Sequence, residues 1–162
     1  MDKKMSVGNH KFGVIPPEQI RKISGKDLCD GWLNGLYPLP PICDTFDFRL
    51  SEVDHGRAVF IGTPDARYYN PIGSVHGGYI SKLLDSAMAC AVHSTLSAGQ
   101  GLTTLELKVS FIQALNDRSG NIMAEGNVIS AGRKIAIAEG RLLGEDDVLY
   151  AHGTATCLIF PI

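Results

Sequence analysis

The segment from Gly77 to Thr95 has the residue spacing of one long amphipathic helix. Its recurring apolar residues are Ile80, Leu83, Leu84, Ala87 and Ala91. This spacing draws a single stripe along a helix, and such a stripe has to be buried against other elements of the fold. With 44% hydrophobic residues, a chain of 162 residues can supply one core of the required size. The sequence therefore predicts one globular domain built around this helix.

Segments of period-two alternation on both sides of the helix predict β-strands. Two strands are predicted before the helix, from Phe46 to Leu50 and at 57–61. The strand after it, TTLELKVSF at 103–111, directs four apolar side chains to one face: Leu105, Leu107, Val109 and Phe111. Three more strands are predicted at 121–130, 134–143 and 148–160. Their short, turn-rich connections favour antiparallel neighbours, so the predicted class is α+β, with an antiparallel sheet covering one helix.

The first 42 residues have a different character from the rest of the chain. Residues 1–15 are polar and contain glycine, which predicts loose order. Pro16 and Pro17 open a short predicted helix, and a second is predicted over Lys26 to Leu33, which the stretch YPLPPICD stops. We therefore expect an N-terminal extension over residues 1–42 and the main domain over residues 43–162.

Charge and cysteine usage narrow the classes of function. The net charge of -2, with no cluster of Lys or Arg, argues against a nucleic-acid partner or an anionic membrane surface. The four cysteines are widely spaced and lack a C-x-x-C pair, so neither a metal site nor a disulfide framework is predicted. No run of about 18 apolar residues occurs, so no membrane span is expected. A soluble protein of the reducing cytoplasm fits these features best.

The stretch NPIGSVHGG, at residues 70–78, stands directly before the predicted helix. Backbone N–H groups at a helix N-terminus are unpaired, and glycine lets a ligand approach them closely. Gly77 and Gly78 therefore form a candidate oxyanion or anion pocket, although a tight turn also requires small residues. His76 and Asn70 have structural alternatives as well, since the first can bond to the backbone at a helix start and Asn-Pro is a frequent turn.

Asp85 is a carboxylate inside the predicted helix. Ser81 and Ala89 flank it one turn away, and this small, uncharged surface predicts that another element packs there. With a rise of about 1.5 Å per residue, Asp85 lies roughly 12 Å along the axis from Gly77, too far to act at its own helix terminus. If two copies pack these helices antiparallel about a two-fold axis, Asp85 of one copy approaches the Gly77 end of the other.

Five of these residues, followed by TTLELKVSF, carry a family resemblance: Asn70, His76, Gly77, Gly78 and Asp85. At this spacing they resemble the PaaI-like branch of the hotdog-fold acyl-CoA thioesterases, over residues 43–160. The resemblance implies a single hotdog domain, in which an antiparallel sheet wraps one long helix. It also implies homo-oligomers that are dimers or dimers of dimers. The implied reaction is the hydrolysis of an acyl-CoA substrate without a metal or organic cofactor.

The resemblance also implies roles for individual residues. Asp85 corresponds to the catalytic base or nucleophile and the Gly77 N–H to the oxyanion donor, while Asn70 and His76 position substrate or water. Gly78 adjoins this donor and is a candidate for binding substrate. A hydroxyl in the strand after the helix corresponds to Thr104 or to the adjacent Thr103.

Coenzyme A would bring phosphate groups, and Arg133 and Lys134 are candidates to bind them. A solvated basic turn is an equally good interpretation of this pair. The chain also departs from the family in the segment FIQAL, at residues 111–115. Many members have a proline there, whereas this chain has Gln113 and Ala114.

Two other functions remain open. A hotdog hydratase or dehydratase has a similar Asn-Pro-aliphatic-His signature, but here three residues separate Ile72 from His76, and Tyr68 stands where that signature has Asp. A noncatalytic acyl-CoA-binding domain would tolerate loss of the carboxylate, and the presence of Asp85 argues against it.

Overall fold

A computed structural model describes residues 11–145 and 147–162. These residues form four α-helices: α1 (Pro17–Ile20), α2 (Gly25–Leu33), α3 (Pro41–Thr45) and α4 (Gly77–His93). They also form six strands: β1 (Phe48–Asp54), β2 (Arg57–Gly62), β3 (Gln100–Phe111), β4 (Ile122–Ala131), β5 (Ile135–Leu143) and β6 (Leu149–Pro161). The long helix and all six strands lie close to their predicted positions.

The strands form one antiparallel sheet in the order β1-β2-β4-β5-β6-β3, and α4 packs across its inner face. This confirms the predicted α+β class and the sheet wrapped around one long helix. The consecutive strands β4, β5 and β6 are neighbours, as their short connections predict. The strand β3 differs, because it pairs with β6 at the far edge of the sheet and leaves its other edge free of described strands.

A row of small residues explains how closely α4 approaches the sheet. Ala58, Gly126, Gly140 and Gly153 lie directly opposite one another on β2, β4, β5 and β6. A Cβ atom at Gly126 would fall on the backbone of Ala87, and one at Gly140 would meet Met88 at 3.0 Å. The row therefore lets the helix backbone rest almost directly on β4. Leu83, Leu84, Ala87 and Met88 are all fully buried as a result.

The N-terminal helices cover a second face of α4. The Gly25 N–H donates to the Leu96 carbonyl at 3.0 Å, and α2 lies so close that a Gly25 Cβ would overlap the His93 carbonyl. The expectation of loose order at the chain start falls partly on residues 1–10, outside the described residues. Residues 11–15 differ from that expectation, because Lys11 and Gly13 exchange backbone hydrogen bonds with Leu39.

The second predicted helix ends at Leu33, before the stretch YPLPPICD, as expected. A further helix, α3, was not predicted and begins within that stretch, with Pro41 at the first helical position, where its missing N–H costs nothing. One expectation for the region before β1 is wrong, because Phe46 is not a strand residue. It caps the C-terminus of α3 and lies near the rings of Tyr68 and Tyr79, at 6.0 and 6.3 Å between centroids.

Candidate active site

His76 caps the N-terminus of α4. Its Nδ1 atom accepts a hydrogen bond from the Gly78 N–H at 2.8 Å, so the proton of the neutral ring lies on Nε2. This bond satisfies the Gly78 N–H within the chain. No hydrogen bond joins the Gly77 N–H to another described residue. The first N–H of the helix is therefore the open donor, and Gly78 is the weaker candidate for contact with a ligand.

Asn70 shapes the loop before the helix. Its Oδ1 atom accepts from the N–H groups of Ile72 and Ser74, at 3.0 and 3.2 Å, and its Nδ2 atom donates to the Ser74 hydroxyl at 2.9 Å. These bonds form an Asx-type turn in which Gly73 adopts a positive φ of 84°. The predicted structural alternative for Asn70 thus accounts for most of its hydrogen-bonding capacity.

Asp85 projects from α4 toward β3, and Thr104 holds it there. The Thr104 hydroxyl donates to Asp85 Oδ1 at 2.9 Å in a partly buried position. The Cys157 thiol lies beside the same hydroxyl, and burial raises its pKa. No described donor reaches the second carboxylate oxygen, Oδ2. The side chain is therefore fixed through one oxygen while the other is open.

A β-bulge in β3 decides which threonine meets Asp85. The register with β6 shifts between Thr104 and Glu106, so that Thr104 lies opposite Cys157 and Leu107 opposite Ala155, both on the inner face. Uninterrupted alternation would have placed Thr104 and Leu107 on opposite faces. The expected inward position of Leu105 is wrong, because the bulge leaves this side chain 58% exposed. Thr103 is directed to the outer face, away from Asp85.

Phe111 ends β3 and lies over the start of α4. Its ring atoms would stand 2.9 to 3.5 Å from a Cβ atom built on Gly77, so the ring covers the side of Gly77 where other residues carry a side chain. Phe111 faces inward, opposite Ala151, yet it is 55% exposed and not buried in the core as its pattern predicted. The cause is its place at the sheet edge, where the helix begins.

Lys82 is a buried cation that the sequence pattern did not single out. Its Nζ atom lies over the ring of Phe48, is inaccessible to solvent and has no hydrogen-bond partner among the described residues. Burial lowers the pKa of Lys82 to about 7, although Cys43, Cys90 and Asp85 oppose this. Lys82 projects toward the end of α3 and the start of β1, where the rings of Phe46 and Phe48 lie beside its Nζ atom.

The same face of α4 borders an apolar pocket under the N-terminal helices, which Ser86 and Cys90 help to line. Trp32, Cys43, Phe48 and Cys90 are among its lining residues. Asp85 does not line it, because this carboxylate faces β3.

Arg133 and Lys134 lie in the exposed turn between β4 and β5. The end of β4 lies near the C-terminal end of α4, since Val128 and Thr95 both approach Gly56. The Lys134 carbonyl accepts from the Ile159 N–H of β6, so β6 lies between this turn and β3. Neither side chain is therefore brought to Gly77 within one chain.

Residues 11–145 and 147–162 contain no group of three or more His, Cys, Asp or Glu side chains placed to hold a metal ion. No helix in these ranges has both the length and the apolar composition needed to cross a membrane.

Comparisons with known proteins agree on the family. The sequence-family model named thioesterase superfamily matches residues 72–151, which contain the start of α4, Asp85 and Thr104. A Halobacterium salinarum protein named as a candidate esterase is 30% identical over 84 residues, which are 51% of this chain and 54% of that protein. The aligned segment thus spans about half the length of this curated relative.

Solved structures extend the similarity to most of the fold. A candidate thioesterase from Ralstonia eutropha, described as related to phenylacetic acid degradation, is 29% identical and covers 80% of this chain and 98% of its own, with a TM-score of 0.73. The Escherichia coli PaaI protein is 19% identical, with a TM-score of 0.73 over 85% of this chain and 96% of its own, which supports the fold alone. The chain is thus similar to the thioesterase superfamily over residues 72–151, and it has the hotdog fold.

Proposed function

We propose that the protein hydrolyses acyl-CoA thioesters to the free acid and coenzyme A, in a site that two copies of the chain build together. The observation that carries this proposal is that α4 presents two groups without a described hydrogen-bond partner. They are one carboxylate oxygen of Asp85 and the backbone N–H of Gly77. The names of the relatives, which describe a candidate esterase and thioesterases, support hydrolysis.

The two groups are too far apart in one chain to act together. Eight helical residues separate them, about 12 Å along the axis of α4. A reacting carbonyl has to lie about 3 Å from both the nucleophile or base and the oxyanion donor. One group must therefore come from a second copy.

The free edge of β3 is the place where that copy fits. Unpaired strand edges readily pair with another chain, and a two-fold axis beside β3 would extend the sheet and set two α4 helices antiparallel. Asp85 faces β3, so this arrangement directs it toward the helix N-terminus of the other copy. A homodimer with two equivalent sites is the simplest assembly of this kind, and pairing of two dimers is compatible with it.

The proposed chemistry needs no metal or organic cofactor. The Gly77 N–H, at the positive end of α4, stabilises the negative charge that develops on the thioester oxygen. Asp85 either takes a proton from the attacking water or attacks the carbonyl itself. In the first route the hydroxide adds to the carbonyl, the C–S bond breaks, and coenzyme A leaves as the thiol with the proton that Asp85 took from water. In the second route the C–S bond breaks as the acyl group forms an anhydride with Asp85, and water then hydrolyses this anhydride to the free acid and supplies the proton that the thiolate takes up.

The first experiment measures free thiol released by the wild-type protein from acetyl-, hexanoyl-, palmitoyl- and phenylacetyl-CoA. Turnover of at least one thioester supports the hydrolase. Binding of acyl-CoA without release of thiol would refute it and favour a noncatalytic binding domain. Hydration of an enoyl-CoA in a parallel assay, without thiol release, would favour the hydratase.

Thr104→Val should lower kcat about tenfold to a hundredfold, because it removes a hydrogen bond to a charged group and keeps the β-branched shape. Thr103→Val is the matched control, since its side chain lies on the opposite face of the same strand, and its kcat should stay near the wild-type value. Equal effects of the two substitutions would contradict the assigned contact.

A further inference from the structure

We propose that Phe111 is a specificity-determining residue, whose ring forms the wall against which the apolar part of the acyl group packs. This inference rests on the proposed function and adds to it the region of the chain that selects the acyl group.

The position of the ring relative to the oxyanion donor carries the inference. Three ring carbons, Cζ, Cε1 and Cε2, approach the missing side-chain position of Gly77 within 3.5 Å. The ring is thus a direct neighbour of the residue whose N–H is the open donor. A carbonyl bound to that N–H places its next carbon atoms within a few ångströms of the ring.

The exposure of Phe111 shows that the chain itself leaves part of this ring uncovered. The inward neighbours on the same strand, Leu107 and Val109, are partly buried and pack against the core, whereas Phe111 is 55% exposed. A large aromatic side chain gains from burial against apolar carbon. An acyl group lying beside Gly77 provides such carbon, and an acetyl group offers only one methyl.

The absence of a side chain at Gly77 leaves the space that the Phe111 ring occupies. A side chain at this position would push the ring from its place, because the Phe111 Cζ atom would lie 2.9 Å from the new Cβ. The backbone of the surrounding loops is fixed, since the Val75 N–H donates to the Leu115 carbonyl at 2.9 Å and the His76 N–H to the Tyr68 carbonyl at 2.7 Å. The backbone next to the Phe111 ring therefore has a defined conformation.

The test compares kcat and KM of Phe111→Ala and Phe111→Leu with acetyl-, hexanoyl- and phenylacetyl-CoA. We expect Phe111→Ala to lower kcat/KM at least about tenfold for the two larger thioesters, mainly through KM, and less than about threefold for acetyl-CoA. Phe111→Leu should keep most of the activity toward hexanoyl-CoA. Phe160→Ala is the control, because Phe160 is also an exposed aromatic residue but lies opposite Gly101, at the other end of β3.

An equal loss for all three thioesters would overturn the inference, since it would mean that the ring only supports the helix terminus. Unchanged selectivity would overturn it as well. Binding of nonhydrolysable ketone analogues of acetyl- and hexanoyl-CoA, measured by calorimetry, separates this inference from the proposed function. A preference for the hexanoyl analogue that Phe111→Ala abolishes would uphold the contact even if the wild type released no thiol. Wild-type turnover with an unaltered preference would refute the contact and leave the hydrolase standing.

Discussion

Asp85→Asn is expected to lower the kcat of thioester hydrolysis by at least about a hundredfold. Asparagine has the same shape and can still accept the hydrogen bond from Thr104, so the fold should be kept while the carboxylate is lost.

Gly77→Pro is expected to lower kcat to a similar extent, because proline suits the first position of a helix but has no N–H. Gly77→Ala is its matched control, since it adds a similar Cβ beside Phe111 and retains the N–H.

Mixing these two inactive variants tests the composite site directly. In a dimer with one Asp85→Asn chain and one Gly77→Pro chain, one site combines an intact Asp85 with an intact Gly77, and the other site carries both defects. Random exchange of subunits makes half of the dimers mixed, so activity should recover to about a quarter of the wild-type value. Mixtures that stay inactive after exchange has been verified by mass spectrometry would contradict the two-chain site. Activity of the separate variants near the wild-type level would contradict the assigned roles.

Lys82→Met is expected to stabilise the protein against urea at pH 7. The Lys82 ammonium is buried beside aromatic rings without a hydrogen-bond partner among the described residues, and its pKa is lowered to about 7. A pKa lowered from 10.5 to about 7 corresponds to about 4 kcal/mol at neutral pH, and relaxation of the side chain reduces that cost. We expect a gain of about 2 kcal/mol in the free energy of unfolding, since methionine fills the same space without charge.

The pH dependence of this gain follows from the direction of the shift. Between pH 7 and 10.5 the unfolded chain keeps the Lys82 proton that the folded chain has lost, so wild-type stability rises with pH in this window. The advantage of Lys82→Met should therefore shrink by up to about 1.4 kcal/mol for each pH unit above 7. Measurements from pH 7 to 8.5 suffice and stay below the ionisation of the buried Cys43 thiol, whose pKa burial raises to about 11.

Lys22→Met is the control for this series, because Lys22 is exposed and its replacement should leave stability and its pH dependence almost unchanged. A Lys82→Met protein that is less stable than the wild type at every pH would contradict the buried, unpaired state of the ammonium. It would instead indicate that the cation contributes favourably through the two phenylalanine rings.

The elements of the fold and the positions of the candidate site residues along the chain follow from local features of the sequence. The apolar stripe from Ile80 to Ala91 and the alternation in six segments each arise from residues close together in the chain, where helix and strand periods act directly. The same holds for His76 and Gly77 at the start of α4, and for Asp85 within it. Local patterns of this kind depend little on what the rest of the chain does.

Contacts between distant segments decided the remaining features, and no local pattern reports them. The bulge in β3 depends on its register with β6, and it turned Thr104 toward Asp85 and left Thr103 outside. The exposure of Phe111 depends on its position where an edge strand meets a helix terminus.

The burial of Lys82 is of the same kind, because its Nζ atom lies beside Phe46 and Phe48, which are far from Lys82 in the sequence. The sequence by itself thus determined which functional side chains the protein has and on which helix or strand each one lies. Strand register and packing determined which of those groups meet, because a shift of one residue in a strand reverses the face of every side chain beyond it.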